Sequence, residues 1–231
     1  MRLDTRHSLT AALVMAVLLG SAVARASSEP DGSAAEATVQ TAVAPQAAAG
    51  TTAVQFNVLG RADAPVTIIE FTDLQCPYCA RHAVQTFPEL RRRYIETGKV
   101  RYTSRDMPLP FHAFAAPAAV ANRCAGEQGR FWEFREAVFA AQSELGQAPY
   151  ARIAAELGLD GERFEACRGD PRQAAAVRAD LELARRHGIT STPSFVIGRL
   201  VDGEFVGEMI SGAKPYAEFA ARIEALLPPA P

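Results

Sequence analysis

Two of the four cysteines in this 231-residue chain stand two residues apart, in FTDLQCPYCARH (residues 71–82). A CxxC pair can serve as a redox couple, as half of a zinc site or as a loop staple. Zinc needs two further ligands at suitable spacing. Cys124 and Cys167 stand alone, and His82, His112 and His187 form no HxxxH pair, so the pattern argues against a metal site. If Cys76 and Cys79 pair as a redox couple, Cys124 and Cys167 are left, either bonded to each other or buried separately as small hydrophobes. A bond between them would stabilise the chain by ~4 kcal/mol in the chain-entropy picture.

Thiol chemistry needs a thiolate, and the residues around the pair suggest how one is stabilised. The apolar run VTIIEF (66–71) reads as a strand that ends just before Cys76, which puts this cysteine at the start of the next helix. Unpaired N–H groups and the helix dipole favour an anion there. Pro77 suits the first helical turn, where its missing N–H costs nothing. Cys79 falls on the same side one turn deeper, so Cys76 is the expected attacking thiol and Cys79 the resolving one. Pro77 and Tyr78 lie between them and should tune the pair. His82 is expected on the helix surface, with any effect on Cys76 secondary.

The elements that must position this pair can be read from periodicity. Val54, Phe56 and Val58 alternate as a short half-buried strand, and 60–65 reads as a turn. VTIIEF suits a central strand covered on both faces. Ala80, Ala83, Val84, Phe87, Leu90 and Tyr94 fall at helical spacing with Pro88 as a kink, and Val100 and Tyr102 begin another strand. From 110 to 187 only helical patterns appear, with Phe131, Phe134 and Val138 on one stripe and Ala174, Val177, Leu181 and Ala184 on another. SFVIG, a turn at Asp202-Gly203, an apolar stretch over 205–210 and a helix through Tyr216, Phe219, Ile223 and Leu227 complete the chain. The fold class is therefore α/β: strand-helix-strand (54–104), a helical insertion (105–187), then strand-strand-helix (188–231), sharing one mixed sheet.

Residues 1–26 have a basic start, an apolar stretch over 9–19 and the small-residue sequence Ala24-Arg25-Ala26, the pattern of a cleaved signal peptide. A retained anchor is the competing reading, but the run is shorter than the ~20 residues a spanning helix needs. Residues 27–53 are small and polar and read as a flexible linker. Export favours an oxidising, periplasmic setting. The net charge of -2 gives no case for nucleic acid, and Arg91, Arg92 and Arg93 read as a solvated helix face.

IIEFTDLQCPYC, RDMPLPFHAFAAPAAVANRCAGEQGRFWEF and ITSTPSFVIG together resemble the DsbA-like thioredoxin-fold oxidoreductases over about 54–227. The resemblance implies a thioredoxin fold with an inserted helical domain and thiol-disulfide exchange without a cofactor. It implies a cis proline at Pro193, with the Thr192 backbone holding an extended substrate beside Cys76. It also implies that Glu70 is a buried acid near Cys79. Burial would favour its protonated form and let it exchange a proton with that thiol. Phe131 and Trp132 are expected in the core of the helical domain rather than in a substrate groove. The implied partners are unfolded or reduced secreted proteins and a membrane redox partner that resets the Cys76–Cys79 pair. An isomerase or reductase is the nearest rival, although exported isomerase-like relatives carry a separate dimerisation domain. The rival from another class is a non-catalytic thiol module that holds a soft metal such as Cu(I) or recognises one partner without turnover, and the lack of Met-rich or further Cys/His stretches weighs against metal delivery.

Overall fold

The computed structural model describes residues 55–229; the expected leader (1–26), the linker (27–53) and Val54 lie outside the described residues. The strands are β1 (Val58–Leu59), β2 (Val66–Thr72), β3 (Val100–Asp106), β4 (Ser194–Val201) and β5 (Glu204–Ser211). They form one sheet in the order β1-β3-β2-β4-β5, with β2 parallel to β3 and antiparallel to β4. β2 is thus the central strand, as its nearly all-apolar run predicts. Its side chains alternate between faces: Val66 and Ile68 join a cluster with Phe87, Tyr102 and Phe195, while Ile69 and Phe71 join another with Ile189 and Phe205.

The expected first strand shrinks to Val58 and Leu59. Phe56 serves a different purpose. Its ring packs 5.5 Å from that of Phe131 and covers Gly126 so closely that a Cβ there would collide with it. The kink expected at Pro88 is a break into α1 (Pro77–Gln85), α2 (Phe87–Leu90) and a π-helical turn (Arg91–Ile95). Proline at the start of α2 cannot donate to the preceding turn. Val84, expected on the apolar stripe, is exposed. Arg92 and Arg93 both reach Glu89 while Arg91 reaches Glu96, so the basic run is a solvated, ion-paired face.

Between β3 and β4 lie α3 (Ala115–Gly126), α4 (Phe131–Ala140), a 3-10 turn (Gln142–Gln147), α5 (Tyr150–Glu156), α6 (Gly161–Arg168) and α7 (Pro171–Arg186); α8 (Tyr216–Leu226) follows β5. Phe134, Val138, Ile153 and Phe164 form the core of this block, and a disulfide between Cys124 and Cys167 ties α3 to α6. Phe131 and Trp132 are buried but point the other way. They join the cluster on the sheet, where Trp132 stacks on Phe87 at 5.5 Å, so they seal the helical block to the sheet rather than fill the block itself. The cross-link closes a 43-residue separation, for which chain entropy predicts about 4 kcal/mol. Urea unfolding of a Cys124→Ala/Cys167→Ala double variant should show a loss of that size, and a loss below about 1 kcal/mol would rule out this contribution.

Candidate redox-active site

β2 delivers the chain to Asp73, whose side chain has no solvent exposure. One oxygen, Oδ1, accepts the N–H groups of Gln75 (2.7 Å) and Cys76 (3.2 Å). The other, Oδ2, accepts the Leu109 N–H (2.8 Å) and His112 Nδ1 (2.8 Å). A short polar side chain at a strand end can fold the next residues into a turn in this way. Gln142 holds the same turn from the helical block, donating from Nε2 to the carbonyls of Leu74 (2.9 Å) and Cys76 (3.1 Å). Cys76 is the residue preceding α1, extended in backbone conformation, and Pro77 opens the helix.

Cys76 is 3% exposed and Cys79 is fully buried; the two thiols are unbonded. The Cys76 pKa is lowered from 9.0 to about 5, chiefly because the Cys79 thiol donates a hydrogen bond to the Cys76 thiolate. Burial opposes this. The Thr192 side chain and the N–H groups of Cys79 and Tyr78 add to the lowering. Cys79 shifts in the opposite direction, pushed well up by burial, then by its bond to Cys76 and by that thiolate's charge. A thiol titrating near 5 is ~99% thiolate at pH 7, against ~1% for one titrating at 9.0.

The Thr192–Pro193 peptide bond is cis. The Thr192 carbonyl lies 3.5 Å from Cys76 Sγ, 116 residues away in sequence. The loop is held by Ser194 Oγ donating to the Ser191 carbonyl (2.7 Å) and by the Gly212 N–H donating to the Pro193 carbonyl (2.8 Å). Of the two residues between the cysteines, Tyr78 is largely exposed, with the Arg81 guanidinium 5.0 Å from its ring.

Glu70 and His82 depart from expectation. Glu70 is fully buried, but both of its oxygens lie 2.7 Å from Nη2 of Arg135, itself fully buried. Glu70 is therefore half of a buried ion pair rather than a lone buried acid. Stripping one partner from such a pair costs ~3–5 kcal/mol, because the other charge is left buried and unpaired. His82 is fully buried rather than on the helix surface. Its ring lies 4.5 Å from that of Phe195, and Nε2 is 3.3 Å from the Tyr102 hydroxyl. Burial, then the charge of Arg135, pushes its pKa down to about 3, so it brings no positive charge to Cys76 at neutral pH.

Asp73, His112, Gln142 and Arg135 did not emerge from the sequence as site residues. Two of them left a signal. Asp73 stands between a strand end and a helix start, and Arg135 lies four residues from Phe131 and three from Val138, on an otherwise apolar stripe. Among the described residues no group of three or more His, Cys, Asp or Glu side chains is placed to hold a metal ion.

A CxxC pair at the start of the helix that follows a central strand, faced by a cis proline, defines a dithiol protein of thioredoxin fold with a helical insertion. The chain belongs to the thioredoxin family, whose model matches residues 52–225, and within it to the DsbA-like group. The structure of Wolbachia pipientis alpha-DsbA1 is similar, with a TM-score of 0.64 and 30% identity, covering 74% of this chain and 89% of that one. A Rickettsia conorii chain provisionally named protein-disulfide oxidoreductase is 26% identical over 150 residues, 62% of this chain and 53% of its own length. A Salinispora tropica chain named Na(+)/H(+) antiporter NhaA 3 is 37% identical over 156 residues, 67% of this chain. The present chain spans only 23% of that antiporter's length. Among the described residues no helix is long and apolar enough to cross a membrane.

The Cys76 environment sets a testable pH profile. Alkylation of the fully reduced protein by iodoacetamide should follow a midpoint near pH 5, with label on Cys76 and almost none on Cys79. A midpoint near 9, or equal labelling of the two thiols, would contradict the assignment.

Proposed function

We propose that this chain is an exported thiol-disulfide oxidoreductase that oxidises cysteine pairs in secreted proteins. The observation that carries the proposal is the stabilised Cys76 thiolate beside the Thr192 carbonyl. The cycle follows from the two shifted thiols. A substrate thiolate attacks Cys76 Sγ of the Cys76–Cys79 disulfide, the S–S bond breaks, and Cys79 departs and takes up a proton, as its raised pKa favours. The second substrate thiolate then attacks the mixed disulfide at the substrate sulfur and expels Cys76. A thiol of low pKa is the better leaving group, so this step runs toward oxidised substrate. Two electrons pass to the protein, and no cofactor takes part.

Thr192 offers its main chain to an extended substrate, a strand-addition mode of binding, and Pro193 fixes the loop facing the thiols. Pro77 and Tyr78 tune the pair from within the first turn of α1. The leader read over 1–26 and the linker over 27–53 support export, and with it a periplasmic location. The partners are then reduced or unfolded secreted proteins and a membrane redox partner that reoxidises Cys76–Cys79. The low Cys76 pKa favours net oxidation over isomerisation or reduction, because it stabilises the reduced form of the protein.

Oxidative refolding of a reduced, unfolded protein separates the two cysteine roles. Cys76→Ser should lower the rate to background, whereas Cys79→Ser should accumulate mixed disulfides at Cys76 that mass spectrometry detects. Full oxidase activity in Cys76→Ser would contradict the proposal.

A further inference from the structure

A groove of about 860 Å³ runs between α3 and α7 beside the 107–113 loop. Its apolar lining comes from Pro117 and Val120 on α3, Val177 and Leu181 on α7, and Met107 and Ile189 on the connections. The polar groups on it are nearly all cationic or neutral: Arg168, Arg178, Arg185, His112 and Thr190, with no carboxylate among the described lining residues. Arg168 and Arg185 already hold Glu165 and Glu182. Arg178 is exposed and has no carboxylate partner among the described residues.

Two residues of the groove wall are tied to the thiol site, one through the chain and one through a shared hydrogen-bond partner. Thr190 on its wall is two residues from Thr192, whose carbonyl lies 3.5 Å from Cys76 Sγ. His112, also on its wall, donates to the same Asp73 carboxylate that accepts the Cys76 N–H. At ~3.3 Å per extended residue, a chain laid beside Thr192 reaches the Thr190 wall within about two residues. An apolar floor with one unpaired cation on its rim suits a flexible segment with large apolar side chains and a carboxylate. A basic segment would meet the unpaired charge of Arg178.

We propose that this groove receives the stretch of reduced substrate chain next to its reacting cysteine, and selects extended segments that carry apolar side chains and an acidic residue. The proposal rests on the oxidoreductase reading and assigns its substrate class. Apolar contact supplies the binding, and Arg178 supplies the preference for acid.

The test uses the full oxidised protein and three reduced two-cysteine peptides with the same apolar residues but Glu, Gln or Lys beside the first cysteine. Each peptide dithiol is oxidised to its own disulfide while Cys76–Cys79 is reduced, and acid-quenched samples are read by mass spectrometry. Each rate is divided by that peptide's rate with the uncharged 2-hydroxyethyl disulfide, which removes the effect of the charge on the peptide thiol itself. The wild type should favour the Glu peptide over the Lys peptide by about threefold to fivefold, the scale of an exposed ion pair. Arg178→Glu should reverse that order, and Ala116→Phe, which fills the groove, should slow all three peptides relative to dithiothreitol. An unchanged peptide order in Arg178→Glu, or peptide rates in Ala116→Phe that stay in proportion to dithiothreitol, would overturn the groove while leaving the oxidoreductase reading intact. Failure of the wild type to oxidise even dithiothreitol would overturn both.

Discussion

A sulfur anion in a nearly closed site has to be stabilised by something other than water, and here hydrogen-bond donors do it rather than a countercharge. The Cys79 thiol is the largest contributor at Cys76, followed by the Thr192 side chain and the first N–H groups of α1, all acting against burial. The cations nearby are not available. His82 is neutral at physiological pH, Arg135 is committed to Glu70, and Arg81 lies over the Tyr78 ring. Donors of this kind are effective only where their geometry is fixed, because hydrogen bonds gain strength in a low-dielectric interior and lose it quickly with misalignment.

That requirement accounts for the division of labour in the fold. The central strand β2 sets where the chain leaves the sheet, and the buried Asp73 carboxylate gathers four donors from two segments, the turn into α1 and the loop after β3. The helical block takes part in the site. Gln142 clamps two carbonyls of the active-site turn, Arg135 neutralises the acid beneath it, and Trp132 binds the block to Phe87 on the sheet side. The disulfide between α3 and α6 stiffens the scaffold from which these side chains reach.

Local sequence was informative where a single segment carried the signal. VTIIEF suits a strand covered on both faces, and the position of Cys76 just after it followed. The Asp202-Gly203 turn and the amphipathic α8 were equally plain. The Thr192–Pro193 ledge was legible through the family resemblance, since nothing in STPSF alone reveals a partner more than a hundred residues away. The polar network was not legible for the same reason: Glu70 meets Arg135 65 residues away and Leu74 meets Gln142 68 residues away. His82 was misplaced because helical spacing tells which residues share a face. It does not tell that the face of α1 carrying His82 is covered by Phe195 and Phe219. Val84, one turn on from Ala80, illustrates the converse, an apolar residue left in solvent.

The anion links redox chemistry to pH. The Cys76 pKa in the folded, reduced protein is about 5, below the 9.0 of an unperturbed thiol. Its contribution to stability is therefore complete above about pH 9 and is lost as the pH falls through about 5, and the disulfide form has no such contribution. Between those limits the reduced protein holds one thiolate and one thiol, so two-electron reduction of the pair takes up one proton. The most direct test is the reduction potential of Cys76–Cys79 against glutathione across pH 6 to 8. A potential nearer about -120 mV than about -270 mV, falling by about 30 mV per pH unit, is the expected result. A potential near -270 mV falling by about 59 mV per unit, as for two ordinary thiols, would contradict the stabilised thiolate and the oxidising role built on it.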